Sequence, residues 1–238
     1  RTMFIGSIEP PLVISTGSAL LIFSLDKPIF YRPDGVNVSI KCQSLLIPAG
    51  VEAVITAKGA TVAVCTLDPF GADVDQIKRA MQHRVGHSYY QFKGECRQVE
   101  ILQAILRAPT DKQTMLTLFV ESLKPKATSP YQIDPRIVKA IDLIHKTVDE
   151  NLTLSDLEHE VGLAPSRLTE LFKQQTGLPI RRFRLWHRLY TTVLARAEGK
   201  TLTEAAIESG FNDSSHFNRT FRSMLGVTPR CLFSKANL

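Results

Sequence analysis

Leu154-Ser-Asp-Leu157, Val161-Gly162-Leu163 and Leu168-…-Leu171-Phe172-Lys173 return further along the chain as Leu202-Thr-Glu-Ala205-Ala206, Gly210-Phe211 and Phe217-…-Phe221-Arg222. The offset is 48 residues up to the glycine and 49 beyond it. Each copy opens on a threonine with an acid three positions on, Thr153/Asp156 and Thr201/Glu204. That pairing supplies acceptors for the free N–H groups at the start of a helix. A short amphipathic segment follows, then a glycine turn (Gly162, Gly210), then a second amphipathic segment. Helix, glycine turn, helix is the pattern of a helix-turn-helix. Two copies in one chain predict a monomer that engages two consecutive major grooves.

Helical spacing then divides each second segment into faces. Over 165–175, Leu168, Leu171 and Phe172 turn inward and leave Ser166, Arg167, Thr169, Glu170 and Lys173 outward. Over 214–225, Phe217, Phe221 and Leu225 turn inward and Ser215, His216, Asn218, Arg219 and Arg222 outward. Asn and Arg suit adenine and guanine edges, Ser, Thr and His adapt as donors or acceptors, and Lys serves phosphates. Glu170 is the exception, because a carboxylate near phosphates is unfavourable. It either accepts from a cytosine amine or pairs with Arg167 at i,i+3 spacing.

Between the copies, about eighteen helical residues from Ile180 span roughly 27 Å at 1.5 Å each. Successive major grooves on one DNA face lie about 34–36 Å apart. A rigid connector of that length, plus the width of the motifs at its ends, sets such a separation. Phe183, Trp186, Leu189, Tyr190 and Val193 give it an apolar side, and Arg181, Arg182, Arg184 and Arg188 are candidates for phosphates. Arg188 lies within the apolar cluster and is expected to be structural instead.

Charge follows the same division. Residues 134–164 hold three Lys/Arg against seven Asp/Glu, whereas 165–238 hold twelve against five. The formal charge of +6 is therefore concentrated where the second segments and their connector lie, as phosphate neutralisation requires.

Ahead of the repeat, residues 12–67 read as short strands separated by Pro28, Pro33-Asp34-Gly35, Pro48-Ala49-Gly50 and Lys58-Gly59, which predicts an antiparallel sandwich or small barrel. From 73 to 123 the apolar period becomes helical (Val74, Ile77, Met81; Val99, Leu102, Ile105, Leu106; Leu116, Phe119, Val120, Leu123), with a helical hairpin turning at 108–111. Residues 124–133 carry two prolines and read as a linker, and Asp134-Pro135 restarts a helix. The fold class expected is α+β, with an effector or dimerisation domain over 1–123 and a DNA-binding domain over 134–238.

Other chemistries find little support. The four cysteines are dispersed without a C-x-x-C pair and read as reduced, mostly buried thiols. His83 and His87 lack a completing acidic ligand, and Gly86 between them weakens a helix. No metal, cofactor or catalytic residue is expected, and neither a signal peptide nor a spanning segment is visible.

Ser166-Arg-Leu…Phe172…Gly177, Trp186-His-Arg188-Leu189 and Glu204-Ala-Ala…Gly210-Phe211…Ser215-His216-Phe217…Arg219…Phe221-Arg222…Gly226-Val-Thr-Pro229 resemble the AraC/XylS family of bacterial regulators over about Asp134 to Phe233. The resemblance implies a seven-helix DNA-binding domain that acts on promoter DNA, commonly as an activator touching RNA polymerase, in a cytoplasmic, nucleoid-associated protein. It also implies that the outward residues named above occupy DNA-reading positions. Glu158 departs from the pattern, which has a small residue there, as does Cys231-Leu232 after the last proline. Ser44-Leu-Leu-Ile-Pro-Ala-Gly50 resembles the strand-turn element of cupin-like effector domains. The His-x-His motif of cupin enzymes is absent, and the region is short enough that leading strands are expected to be missing. A small-molecule effector and a homodimer are the partners this half implies. Two further readings compete: a degenerate relative that binds a protein partner and no DNA, and an alkyl-transfer enzyme with a DNA-binding tail. The second of these needs an activated cysteine with supporting ligands, which no cysteine here has nearby.

Overall fold

The computed structural model describes the chain apart from residues 1, 9–10, 34, 68–71, 108–113, 115–116, 118, 120, 124–132 and 231–238. The chain divides into two compact units, Arg1–Tyr131 and Gln132–Leu238.

Among its described residues the first unit carries ten strands: β1 (Thr2–Ser7), β2 (Leu12–Ile14), β3 (Ala19–Ser24), β4 (Ile29–Pro33), β5 (Ile40–Cys42), β6 (Ser44–Ile47), β7 (Ala53–Thr56), β8 (Thr61–Leu67), β9 (Met81–Val85) and β10 (Ser88–Phe92). Among the described residues the helices α1 (Ala72–Ala80) and α2 (Glu95–Arg107) accompany them. A six-stranded sheet runs β1-β8-β3-β6-β10-β9 and a four-stranded sheet β2-β7-β4-β5, with the paired strands antiparallel. This is the antiparallel, cupin-like part of an α+β architecture.

The larger sheet is covered on both faces, which explains why β3 and β6 are apolar without alternation. Leu20 and Ile22 of β3 meet Ile29, Tyr31 and Ile55 of the smaller sheet. Leu21 and Phe23 point the other way, onto Val74 and Ile77 of α1 and Val99, Leu102 and Ile105 of α2. Phe23 is fully buried and meets Phe92 and Phe119 edge-on at 5.7 and 6.0 Å. Full burial of one such ring is worth about 1.5–3 kcal/mol.

Two elements differ from the sequence reading. β1 precedes the first expected strand and pairs with β8 over Thr2↔Thr66 to Ser7↔Thr61. Residues 81–92, expected to be helical, form a hairpin in which Val85 faces Ser88 across a two-residue Gly86-His87 turn. Gly86 takes φ 55° there, a left-handed conformation available to glycine at little cost and typical of such turns. Tyr89, Tyr90 and Phe92 then favour a strand. Met81 starts that hairpin, although it packs in the helix-side core. His83 consequently stacks on Tyr90 at 5.1 Å between ring centroids and does not share a helix face with His87. The expected hairpin turn at 108–111, Leu116, Val120, the linker residues 124–132 and Cys231-Leu232 lie outside the described residues. Phe119 and Leu123 are described, and both are buried.

The second unit is helical: α3 (Pro135–Lys146), α4 (Leu154–Val161), α5 (Pro165–Thr176), α6 (Ile180–Ala197), α7 (Leu202–Glu208) and α8 (Ser214–Leu225), with a further helical turn opening at Pro229-Arg230. Asp134 caps α3, with Pro135 in its first turn; the hydrogen bonds and charge of Arg136 hold its carboxyl down at about 2. Thr153 and Asp156 form a reciprocal capping box on α4, and Thr201 and Glu204 form the same box on α7. Both carboxyls are held below their ordinary range, first by the threonine hydroxyl and then by its backbone N–H.

Candidate nucleic-acid interface

α6 is the shared spine of the second unit. It is 18 residues long with Ile180, Phe183, Trp186, Leu189 and Thr192 buried, so its apolar stripe runs nearly its full length. Phe183 meets Phe172 of α5 edge-on at 5.3 Å. Trp186 and Leu189 enter a separate cluster with Ala206 of α7, Phe211 of the turn, and Phe217, Phe221 and Met224 of α8. One face of one helix thereby docks both motifs. Tyr190 and Val193 are only half-buried.

The inward faces of α5 and α8 account for what they expose. Leu168, Leu171, Phe172 and Thr176 are buried on α5, and Phe217, Thr220, Phe221 and Met224 on α8, where Leu225 is only half-buried. Ser166, Arg167, Thr169, Glu170 and Lys173 are exposed on α5; Ser215, Asn218, Arg219 and Arg222 are exposed on α8. Positions 166, 169, 170 and 173 correspond to 215, 218, 219 and 222, each set lying along one helix face at i, i+3, i+4, i+7.

Several side chains are already engaged. Arg167 Nη1 lies 3.2 Å from Glu170 Oε2, the i,i+3 pair that was one of the two roles open to Glu170. Thr169 Oγ1 donates to its own helix at Pro165 O and Ser166 O, and Asn218 Nδ2 donates to Ser214 O. His216 is half-buried, against the outward expectation: its ring meets Phe211 edge-on at 5.3 Å, and Nδ1 is buried without a partner among the described residues. Asp213 caps α8 by accepting from His216 N at 2.6 Å. Among the candidate phosphate-binding residues, Arg181 is exposed and Arg182 half-buried.

Two connector arginines face inward instead. Arg188 donates from Nε to Val148 O at 2.8 Å and from Nη2 to Glu150 O at 3.0 Å. Arg184 donates from Nη2 to the same Glu150 O at 3.1 Å and from Nη1 to Leu152 O. Burial lowers the pKa of both guanidinium groups from its ordinary value. Arg188 is structural as anticipated, and Arg184 is as well; it is not available as a free phosphate-binding residue. The sequence offered no signal for Arg184, because its acceptors are carbonyls more than thirty positions away.

A cleft of about 830 Å³ opens between the motifs. Thr169, Lys173 and Arg181 line it from the first half, and Asn212 and His216 from the second. Asn212, in the turn before α8, was not among the expected residues; only its place beside the Asp213 cap hints at it. A concave surface with Lys173 and Arg181 on its wall suits a polyanion.

Nothing comparable in the described residues suggests catalysis. Burial pushes the Cys65 thiol up to about 12, and burial followed by the Glu95 charge does the same to Cys42; both shifts oppose thiolate formation. Cys96 is exposed. Among the described residues no cluster of His, Cys, Asp and Glu is placed to hold a metal ion, and no helix is long and apolar enough to cross a membrane.

Comparison with known proteins agrees with this geometry. Residues 157–235 match the helix-turn-helix domain family. The chain is 33% identical over 94 residues to the transcriptional activator RhrA of Rhizobium meliloti, covering 36% of this chain and 30% of RhrA. It is also 33% identical over 98 residues to the transcriptional activator RhaR of Yersinia pseudotuberculosis, covering 38% and 33% respectively. The matched stretch thus spans about a third of either relative. Among solved structures, an apo lysine-to-alanine variant of ToxT from Vibrio cholerae shares the fold with a TM-score of 0.70 at 14% identity, over 98% of this chain and 97% of that one. Wild-type ToxT with a bound unsaturated fatty acid aligns with a TM-score of 0.64, also at 14% identity, over 99% and 95%. Residues 157–235 of this chain thus carry a helix-turn-helix domain similar to those of the transcriptional activators RhrA and RhaR.

Proposed function

We propose that this chain is a sequence-specific transcription regulator, an activator, that reads two successive major grooves with α5 and α8. The observation that carries this reading is the pair of equivalent exposed stripes, presented by two helices docked on one connector. Ser215, Asn218 and Arg219 on α8, and Ser166, Arg167 and Thr169 on α5, meet base edges. Lys173, Arg222, Arg181 and Arg182 serve phosphates, and His216 orders the start of α8 as much as it contacts DNA. The connector length of about 27 Å supports the two-groove geometry. Because the relatives are named activators, RNA polymerase is the second macromolecular partner we assign, in a cytoplasmic protein associated with the nucleoid.

The first unit senses a small effector, dimerises, or both. Effector binding is supported by the fatty acid held by ToxT and by two buried hydroxyls of the sandwich. Tyr31 Oη and Ser88 Oγ are buried without a well-formed hydrogen bond among the described residues, although the two lie near enough to interact. A ligand with a polar group would satisfy both.

Selection from random oligonucleotides with the full chain, at two salt concentrations, tests the reading. The expected outcome is a site of two blocks one helical turn apart whose affinity falls steeply with salt. Absence of any enriched DNA would leave the protein-binding relative as the better reading. Sedimentation of the full chain with and without a mixture of fatty acids tests the first unit, with a dimer or a ligand-dependent shift expected.

A further inference from the structure

The two turn glycines, Gly162 and Gly210, have the same place in their motifs but different surroundings. Both are left-handed, at φ 67° and 84°. A Cβ on Gly162 would meet nothing within 4 Å. A Cβ on Gly210 would lie 2.8 Å from Val148 O, 2.9 Å from Arg188 Nε and 2.9 Å from Asp149 Cα. The first two of those atoms form the hydrogen bond through which the connector holds the segment leading into the first motif. Three pieces of chain distant in sequence therefore converge on one point: the segment between α3 and α4, the middle of α6, and the turn of the second motif. The remaining bonds of Arg188 and Arg184, to Glu150 O and Leu152 O, fasten the same segment over the next four residues.

We propose that this joint of Val148, Arg188 and Gly210 is the element that sets the separation and phase of the two reading helices, and hence the spacing of the DNA blocks the protein accepts. α6 alone docks each motif through its own apolar contacts, which are non-directional and leave small rotations free. Direct backbone-to-guanidinium-to-backbone contact removes that freedom, because neither the carbonyl nor the planar fork can yield without losing its bond. Gly210 is needed both for its φ and for the approach, since any side chain would push the second motif off the joint. Arg188 is a positioning residue here and touches no DNA.

The inference rests on the two-groove reading. Its test measures affinity of the full chain for duplexes carrying both selected blocks at the preferred spacing, and with one base pair added or removed. Each base pair moves one block by about 3.4 Å and turns it by about 35°. Wild-type protein should lose about tenfold at either altered spacing. Arg188→Lys keeps the charge but lacks the rigid planar fork that holds both carbonyls, and should retain single-block affinity within about twofold while the spacing penalty shrinks to about twofold. Gly210→Ala should flatten the profile in the same way, and Gly162→Ala should leave it unchanged. Circular dichroism identifies any variant that fails to fold, and Arg188→Lys decides if Gly210→Ala does. An unaltered spacing penalty in folded Arg188→Lys overturns the inference and leaves the two-groove reading intact. Wild-type protein with no preference for paired blocks overturns both.

Discussion

The first and second helix-turn-helix motifs share a template and differ in almost everything that surrounds it. Both open on the same capping box and turn on a left-handed glycine. In the second, Ala206 is fully buried between its helices, whereas the equivalent Glu158 is half-buried. The exposed stripe of the first is partly neutralised by the Arg167–Glu170 pair; α8 contains no acidic residue and presents Arg219 and Arg222. Repetition keeps what a helix-turn-helix needs to fold. The neighbours of each copy then differentiate the two, seating the second motif more tightly than the first.

The strongest challenge to that contrast exchanges the packed position. Ala206→Glu should cost roughly 3 kcal/mol or more, because a carboxylate would be buried without a partner. Glu158→Ala should stay within about 0.5 kcal/mol of wild type. Denaturant unfolding of the full chain measures both, and similar losses would mean that the two motifs are equally packed. The turn glycines come next. Gly210→Ala combines left-handed strain with a backbone contact and should cost about 3 kcal/mol, against about 1 kcal/mol for Gly162→Ala, where only the strain applies.

DNA readout should show the same asymmetry. Arg219→Ala is expected to cost about 1–3 kcal/mol in specific affinity and to relax preference at one base pair. Arg167→Ala, which removes a side chain already paired with Glu170, should cost less than about 1 kcal/mol. Glu170→Gln should strengthen binding by freeing Arg167 and steepen the salt slope by about one. Equal effects at Arg167 and Arg219 would show that the ion pair breaks on DNA at no cost.

A further expected effect is one of pH, and it belongs to the packing of α3 on α6. His187 of α6 stacks on His145 of α3 at 4.3 Å. Burial, and then the His145 charge, push its pKa from 6.5 down to about 4. The unfolded chain therefore binds more protons than the folded one between those values, so stability should fall as pH drops from about 6.5 to about 4. His187→Asn should flatten the melting temperature across that window. An unchanged slope would place the sensitivity elsewhere.

Much of this molecule was legible because its signals are local. A capping box spans four residues and a helix face about eight, so the boundaries of α8, the 18-residue connector and the exposed stripes followed from spacing alone. The same locality misled at 81–92, where apolar residues at helical intervals preceded a glycine that turns a hairpin. It also placed His216 outward, because a helical period cannot register that Phe211, in the preceding turn, offers the ring a seat.

What the sequence by itself determined, then, is the tandem motif, its connector and the side chains it can present, all of them encoded within a few turns of helix. What only the tertiary structure decided depends on partners far apart in the chain: the order of strands in the two sheets, the inward roles of Arg184 and Arg188, and the close seat of Gly210. Arg188 finds its acceptors 40 and 38 positions away. Backbone carbonyls are present at every residue and leave no mark in the sequence, so which ones a guanidinium will meet is settled only when the chain has folded around it.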